Sequence, residues 1–192
     1  MSYFADAGQI LIRFIFGVLI ALVVLRVLLQ WVRANFYNPI CQFLYKATNP
    51  VLMPLRRLIP AWRTIDIAGI ALAWLLCAIK LALLFALAGI APAIAGLAVM
   101  ALADLIGFVL LLYLGLILVR IILSFFAGNT HHPIVPLVYQ LTDPVLRPLQ
   151  RALPAFGGID FSPMIAWLLI TLARVLLVQP LLDLGSRLAQ GG

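Results

Sequence analysis

The chain has 192 residues, 66% of them hydrophobic and only 10% charged, with a mean hydropathy of +1.19. That composition excludes an ordinary soluble domain, and the two cysteines, Cys41 and Cys77, are too few for a disulfide framework and form no metal-ligand cluster. The formal charge of +7 raises nucleic acid as a partner, but its distribution along the chain argues otherwise.

The N-terminus, MSYFADAGQ, carries Asp6 and no basic segment. This argues against a cleaved signal peptide, and the first helix is expected to stay as an anchor. Four apolar runs are long enough to cross a bilayer: Gln9 to Val32, Ile67 to Ile90, Leu97 to Ser124 and Phe161 to Leu184. Backbone in hydrocarbon must satisfy its own hydrogen bonds, so these runs predict helices. A transmembrane barrel needs alternating residues, and these runs are solidly apolar.

Between the first and second runs, and again between the third and fourth, the chain repeats itself. NPICQFLYKATNPVLMPLRRLIPAWRTID at 38–66 returns as HPIVPLVYQLTDPVLRPLQRALPAFGGID at 132–160, offset by 94 without a gap. The architecture is therefore read as a doubled unit: 1–96 with connector 33–66, and 97–192 with connector 127–160. Seven of the thirteen basic residues fall in the connectors (Arg33, Lys46, Arg56, Arg57, Arg63, Arg147 and Arg151). This is the positive-inside pattern, and it places both connectors in the cytoplasm and both termini outside. The short apolar turn near Ala88 to Gly96 then makes the repeats parallel, about an approximate axis along the membrane normal.

The connectors are too apolar for plain loops. Ile40, Phe43, Leu44 and Ala47 recur at helical spacing, as do Ile134, Leu137, Val138 and Leu141. Pro39 and Pro133 suit a first helical turn. Asn49 and Asp143 suit caps for a following segment that begins with Pro50 and Pro144. Pro54 and Pro148 are expected to interrupt or kink these helices, and the sequence leaves open whether a helix begins at Pro50 or at Pro54. The fold class that results is an all-α membrane protein: four transmembrane helices in two parallel helix–connector–helix repeats, with amphipathic connector helices in the interface.

FYNP at 36–39, PLRRLIPA at 54–61 and PAFGGIDFSP at 154–163 resemble the YggT family of bacterial multi-pass membrane proteins, over essentially the whole chain. The first copy departs from the pattern, with WRTIDIAG where the second has FGGIDFSP. The resemblance implies a multi-pass protein of the bacterial inner (plasma) membrane with no established catalytic activity. It also implies links to osmotic-stress tolerance and ion uptake. Single-repeat relatives, the YlmG group, are associated with cell division. Plastid relatives are associated with nucleoid organisation and cytochrome b6 haem maturation.

The candidate functional residues are charged groups in or beside the spans. Arg26 and Arg120 are equivalent by the offset and lie about six residues, or about 9 Å, from their helix ends. They either snorkel or pair, and pairing with Asp66 and Asp160 would clasp each connector to its helices. Lys80 and Arg174 sit near mid-helix, and Lys80 can meet Asp104 at similar depth. That pair is read as a buried structural pair ahead of a polar path between repeats. Arg57 and Arg151, with Arg56 and Arg147, form a basic stripe suited to anionic headgroups, ahead of an acidic protein partner. His131 and His132 are too few for a metal site, Thr48 and Thr142 are read as turn residues, and Gly157-Gly158 is read as a tight turn. No nucleophile elbow, phosphate loop or dinucleotide fingerprint occurs.

The expected function is accordingly a non-enzymatic assembly, scaffold or envelope-stress protein without cofactors. Its expected partners are anionic lipids, membrane proteins or a second copy, with no direct nucleic-acid binding. The alternative is ion uptake or osmoregulatory transport.

Overall fold

The computed structural model describes residues 3–59, 66–125, 132–152 and 160–190. The elements in order are α1 (Tyr3–Trp31), α2 (Pro39–Leu58), α3 (Ile67–Leu87), α4 (Ile94–Phe125), α5 (Ile134–Ala152), α6 (Ser162–Ala173), a π segment (Arg174–Val178) and α7 (Gln179–Ala189). Four helical stretches are long and apolar enough to cross a membrane: α1, α3, α4 and the continuous Ser162–Ala189. They coincide closely with the four apolar runs of the sequence: Leu97 to Ser124 lies wholly within α4, the runs ending at Val32 and Ile90 pass the ends of α1 and α3, and the run from Phe161 starts one residue before α6.

The connector helices α2 and α5 each run through their prolines. Pro50 and Pro54 lie inside α2, and Pro144 and Pro148 inside α5. The expected break does not occur, and the reason lies in the spacing. Prolines four residues apart share one helix face, and all four are exposed. Each proline deprives the carbonyl four residues back of its donor, and here those carbonyls fall on an outer face, where other donors can reach them. Asn49 and Asp143 therefore sit mid-helix and do not cap. Asn38 does cap α2, its side chain accepting from the Ile40 amide at 2.9 Å, with Pro39 in the first turn. Pro133 stands just before α5.

Leu52 and Leu146, 94 residues apart, are both wholly buried and pin each connector beneath its helices. Leu52 joins a core built from Ile20, Val24, Leu72, Ala73 and Leu105. Leu146 joins one built from Leu114, Ile117, Ala166 and Ile170. A third cluster links the connectors to each other, with Cys41 and Leu44 of α2 against Leu137 and Leu141 of α5 under Leu29. Asn38 Nδ2 donates to the Pro133 carbonyl at 2.7 Å across the same junction.

α4 and α7 approach closely through glycines. A Cβ on Gly96 would lie 2.2 Å from the Ala189 nitrogen, and one on Gly185 would lie 2.5 Å from the Met100 side chain. Small residues at such a crossing let membrane helices pack by backbone contact. Pro180 enters α7 near its start and cannot donate to the preceding turn. The π segment immediately before it absorbs the extra residue.

Candidate functional site

The charged groups gather where the connectors fold back under the spans. Arg26 leaves α1 near its C-terminal, connector-side end and is 4% exposed. Its Nη1 donates to Thr48 Oγ1 at 2.6 Å, and Nη2 donates to Asn49 Oδ1 at 3.0 Å. The guanidinium lies over the Tyr45 ring, 4.4 Å from its centroid. Thr48 in turn donates to the Leu44 carbonyl at 2.6 Å. With a longer bond to the Tyr45 carbonyl at 3.5 Å, the buried cation thus meets three neutral oxygens and an aromatic face, each of which favours the charged form without supplying a counter-charge.

The second copy repeats the frame and changes the charge. Arg120 Nη1 donates to Thr142 Oγ1 and to Asp143 Oδ1, both at 2.7 Å, over the Tyr139 ring at 4.5 Å. Asp143 also accepts from Arg147, one turn on, at 2.8 Å. Thr142 donates to the Val138 carbonyl at 2.7 Å. The threonines are therefore not turn residues: both lie inside continuous helices, donate to the carbonyl four residues back and accept from arginine.

The expected clasp of Arg26 to Asp66 and Arg120 to Asp160 is corrected by these contacts. Asp66 is wholly buried, takes Arg56 Nη2 at 2.5 Å, and caps α3 by accepting from the Gly69 amide at 3.1 Å. Arg56 also donates to Gln30 Oε1 at 2.9 Å. At the equivalent places of the second copy, Gln150 Nε2 donates to Asp160 at 2.8 Å, and Asp160 accepts from the Ser162 amide at 2.9 Å. The connector fold brings Thr48-Asn49 directly under Arg26 and carries Asp66 to the neighbouring helix start instead. Burial pushes the Asp160 carboxyl up. Hydrogen bonds from Ser162 and Gln150, together with the Arg120 charge, outweigh burial and hold it below the usual carboxylate value. Burial alone pushes the Cys41 thiol up.

Within the spans, Lys80 Nζ of α3 meets Asp104 Oδ2 of α4 at 2.6 Å, with both side chains largely buried. Arg174, the offset equivalent of Lys80, opens the π segment and is exposed. Arg57 and Arg151 are exposed in the last turns of α2 and α5, where the helix dipole favours cations. Neither meets a carboxylate among the described residues. Gly157, Gly158 and His131 lie outside the described residues. His132 Nδ1 accepts weakly from the Ile134 amide at 3.3 Å, and no group of metal-ligating side chains occurs among the described residues.

A signal in the sequence could have located the arginine partners. Threonine followed by Asn or Asp stands 22 and 23 residues after the arginine in both copies, with tyrosine at 19.

A family model described as CCB3/YggT matches residues 6–87 and again residues 99–181. The chain belongs to the CCB3/YggT family. It is 41% identical over 167 residues to the uncharacterised protein YggT of Escherichia coli K12, covering 87% of each chain. An uncharacterised protein in the proC 3′ region of Vibrio alginolyticus is 38% identical over 174 residues, covering 90% of this chain and 94% of that one. An uncharacterised protein of Pseudomonas aeruginosa is 35% identical over 162 residues, with coverage of 83% and 82%. No solved structure matches the chain. The two family matches fall on the two copies of the arginine frame, so this YggT protein carries the motif twice.

Proposed function

We propose that this YggT protein is a non-enzymatic assembly protein of the bacterial inner membrane. In this reading its two connectors form one docking platform on the cytoplasmic face, for anionic headgroups and membrane-protein partners. The observation that carries the proposal is the union of α2 with α5. Cys41 and Leu44 share one buried cluster with Leu137 and Leu141, gathered with Leu29 of α1, and Asn38 bonds to Pro133 across the junction. Segments that only join spans have no need to bury each other. The outward faces carry Arg57, Arg147 and Arg151 beside exposed Phe43, Val51 and Met53, a mixture suited to a headgroup layer or a partner's amphipathic surface.

Ion uptake is the second reading, favoured by the Lys80–Asp104 pair within the spans. Two features weigh against it. The pair is mutually neutralised. The crevice of about 350 Å³ where α1, α3 and α4 meet is lined by Val24, Ile70, Ala73, Leu105 and other apolar side chains, whereas a conducting path needs polar or charged lining.

The deciding experiment measures potassium and sodium flux in proteoliposomes, beside a Lys80→Ala/Asp104→Ala variant. The platform reading expects no flux above empty liposomes. It also expects photo-crosslinkers placed at Phe43 and Val51 to label a defined partner. Flux that the double variant abolishes would overturn it and establish transport.

A further inference from the structure

The platform contains one crevice of a different kind. It has a volume of about 440 Å³ and lies between the end of α1 and the exposed face of α5. Trp31 forms one wall, and Gln140, Asp143, Pro144, Arg147 and Arg151 form the other. Cavities of this size hold small polar ligands. The α5 wall consists of two neighbouring rows four residues apart, Gln140–Pro144–Pro148 and Asp143–Arg147–Arg151, so it is one helix face.

The chemistry of that face is specific. Arg147 and Arg151 supply two cations, and Arg120 stands behind Asp143. The single carboxylate is already shared between Arg120 and Arg147, so the crevice keeps an excess of positive charge. Pro144 and Pro148 lack N–H groups, which leaves the carbonyls of Gln140 and Pro144 without helical donors. Both residues line the crevice. The wall therefore offers cations for a phosphate and, beside them, acceptors for hydroxyl groups. Trp31 is 47% exposed at the helix end, where indoles settle at headgroup depth. In α2 the residue equivalent to Arg147 is Met53, and Lys46 stands in place of Gln140, so the first connector does not reproduce this wall.

We infer that the α1–α5 crevice is a binding site for the phosphate and glycerol of one anionic phospholipid per chain, of the phosphatidylglycerol class. The inference rests on the platform reading and names the ligand of its second half. Arg147 and Arg151 hold the phosphodiester, the two orphaned carbonyls accept from the glycerol hydroxyls, and Trp31 covers the upper acyl chain.

Native mass spectrometry of the full chain in detergent tests this, using phosphatidylglycerol, phosphatidylcholine, phosphatidylmethanol and inorganic phosphate as probes. One phosphatidylglycerol is expected to be retained per chain, in preference to the other two lipids. Arg147→Met and Arg151→Gln should each weaken retention about fivefold, whereas Arg57→Gln on the other connector should change it by less than about twofold. Equal retention of phosphatidylcholine, or equal loss in Arg57→Gln, would mean diffuse surface attraction and overturn the site. Equal retention of phosphatidylmethanol would overturn the glycerol assignment. Displacement by millimolar inorganic phosphate would make it a soluble-anion site and overturn the lipid assignment. The two readings fail separately. Flux in proteoliposomes with the lipid still held removes the platform and leaves the site, whereas absent flux with no selective lipid removes the site alone.

Discussion

Arg26 and Arg120 stand 94 residues apart, meet the same threonine and lie over the same tyrosine, yet their charges are balanced by different means. In the first copy the oxygen beside the arginine belongs to neutral Asn49, and the carboxylate is one helix away, on Arg56. In the second copy the neighbouring oxygen is the Asp143 carboxylate, and the distant position is served by neutral Gln150 bonding Asp160. In the first copy Asp66 pairs with Arg56 alone and Arg26 meets only neutral groups, whereas in the second Asp143 pairs with both Arg120 and Arg147. The shared geometry is therefore set by hydrogen bonding and ring stacking, which both copies keep. Net charge is free to move between positions, provided each buried cation keeps its donors satisfied.

The sharpest way to break this comparison is at the capping aspartates. Asp66→Asn strands Arg56 next to Arg26 with no carboxylate and should cost about 3 kcal/mol in thermal or denaturant unfolding in micelles. If Asp160→Asn cost as much, the two copies would be equivalent after all. The next largest effect is expected from Asp143→Asn, which converts the second arginine site into the first. It keeps a hydrogen-bond acceptor and loses a partly buried counter-charge, for about 1 to 2 kcal/mol. The reverse change, Asn49→Asp, should recover part of the loss in an Asp66→Asn background, and a double-mutant cycle reads the coupling. Thr48→Val and Thr142→Val should then cost about 1 kcal/mol each, and equally, because that contact is common to both copies. A clear inequality between them would mean the frame itself differs.

The smallest effect belongs to Asp160, which is exposed. Its carboxyl is held below the ordinary value, so its contribution is present above about pH 4 and is lost as pH falls through the folded value. Asp160→Asn should flatten that acid-side slope in melting curves and change stability by no more than about 0.5 kcal/mol near neutrality.

Much of the fold could be read from the sequence, because a bilayer leaves the backbone few choices. The apolar runs dictate helices, and the 94-residue offset dictates that the second half resembles the first. The connectors were legible as amphipathic helices from the spacing of Ile40, Phe43, Leu44 and Ala47. Their continuity through Pro50 and Pro54 was not, since proline breaks a helix or not according to where the orphaned carbonyls point, and that depends on packing. The arginines were identifiable as charges needing partners. The partners were missed because reach was judged along the helix axis toward Asp66 and Asp160. Only the fold-back of α2 and α5 places Thr48 and Thr142 beneath them. Of the crevice beside Trp31 only the basic side chains Arg147 and Arg151 were legible, as part of a basic stripe, because its two walls come from different repeats.

The bond from Asn38 to Pro133 spans 95 residues, and that separation has a meaning in time. At about 5 to 20 residues per second of synthesis, roughly 5 to 19 s pass between the emergence of α2 and the arrival of its partner. During that interval Cys41 and Leu44 have made their turn at the membrane surface but have nothing of the chain's own to pack against. The nascent first half must be sheltered by headgroups, by the insertion machinery or by another copy at the same stage. A ribosome that pauses between α2 and α5 therefore lengthens the one period in which two half-made chains can exchange connectors.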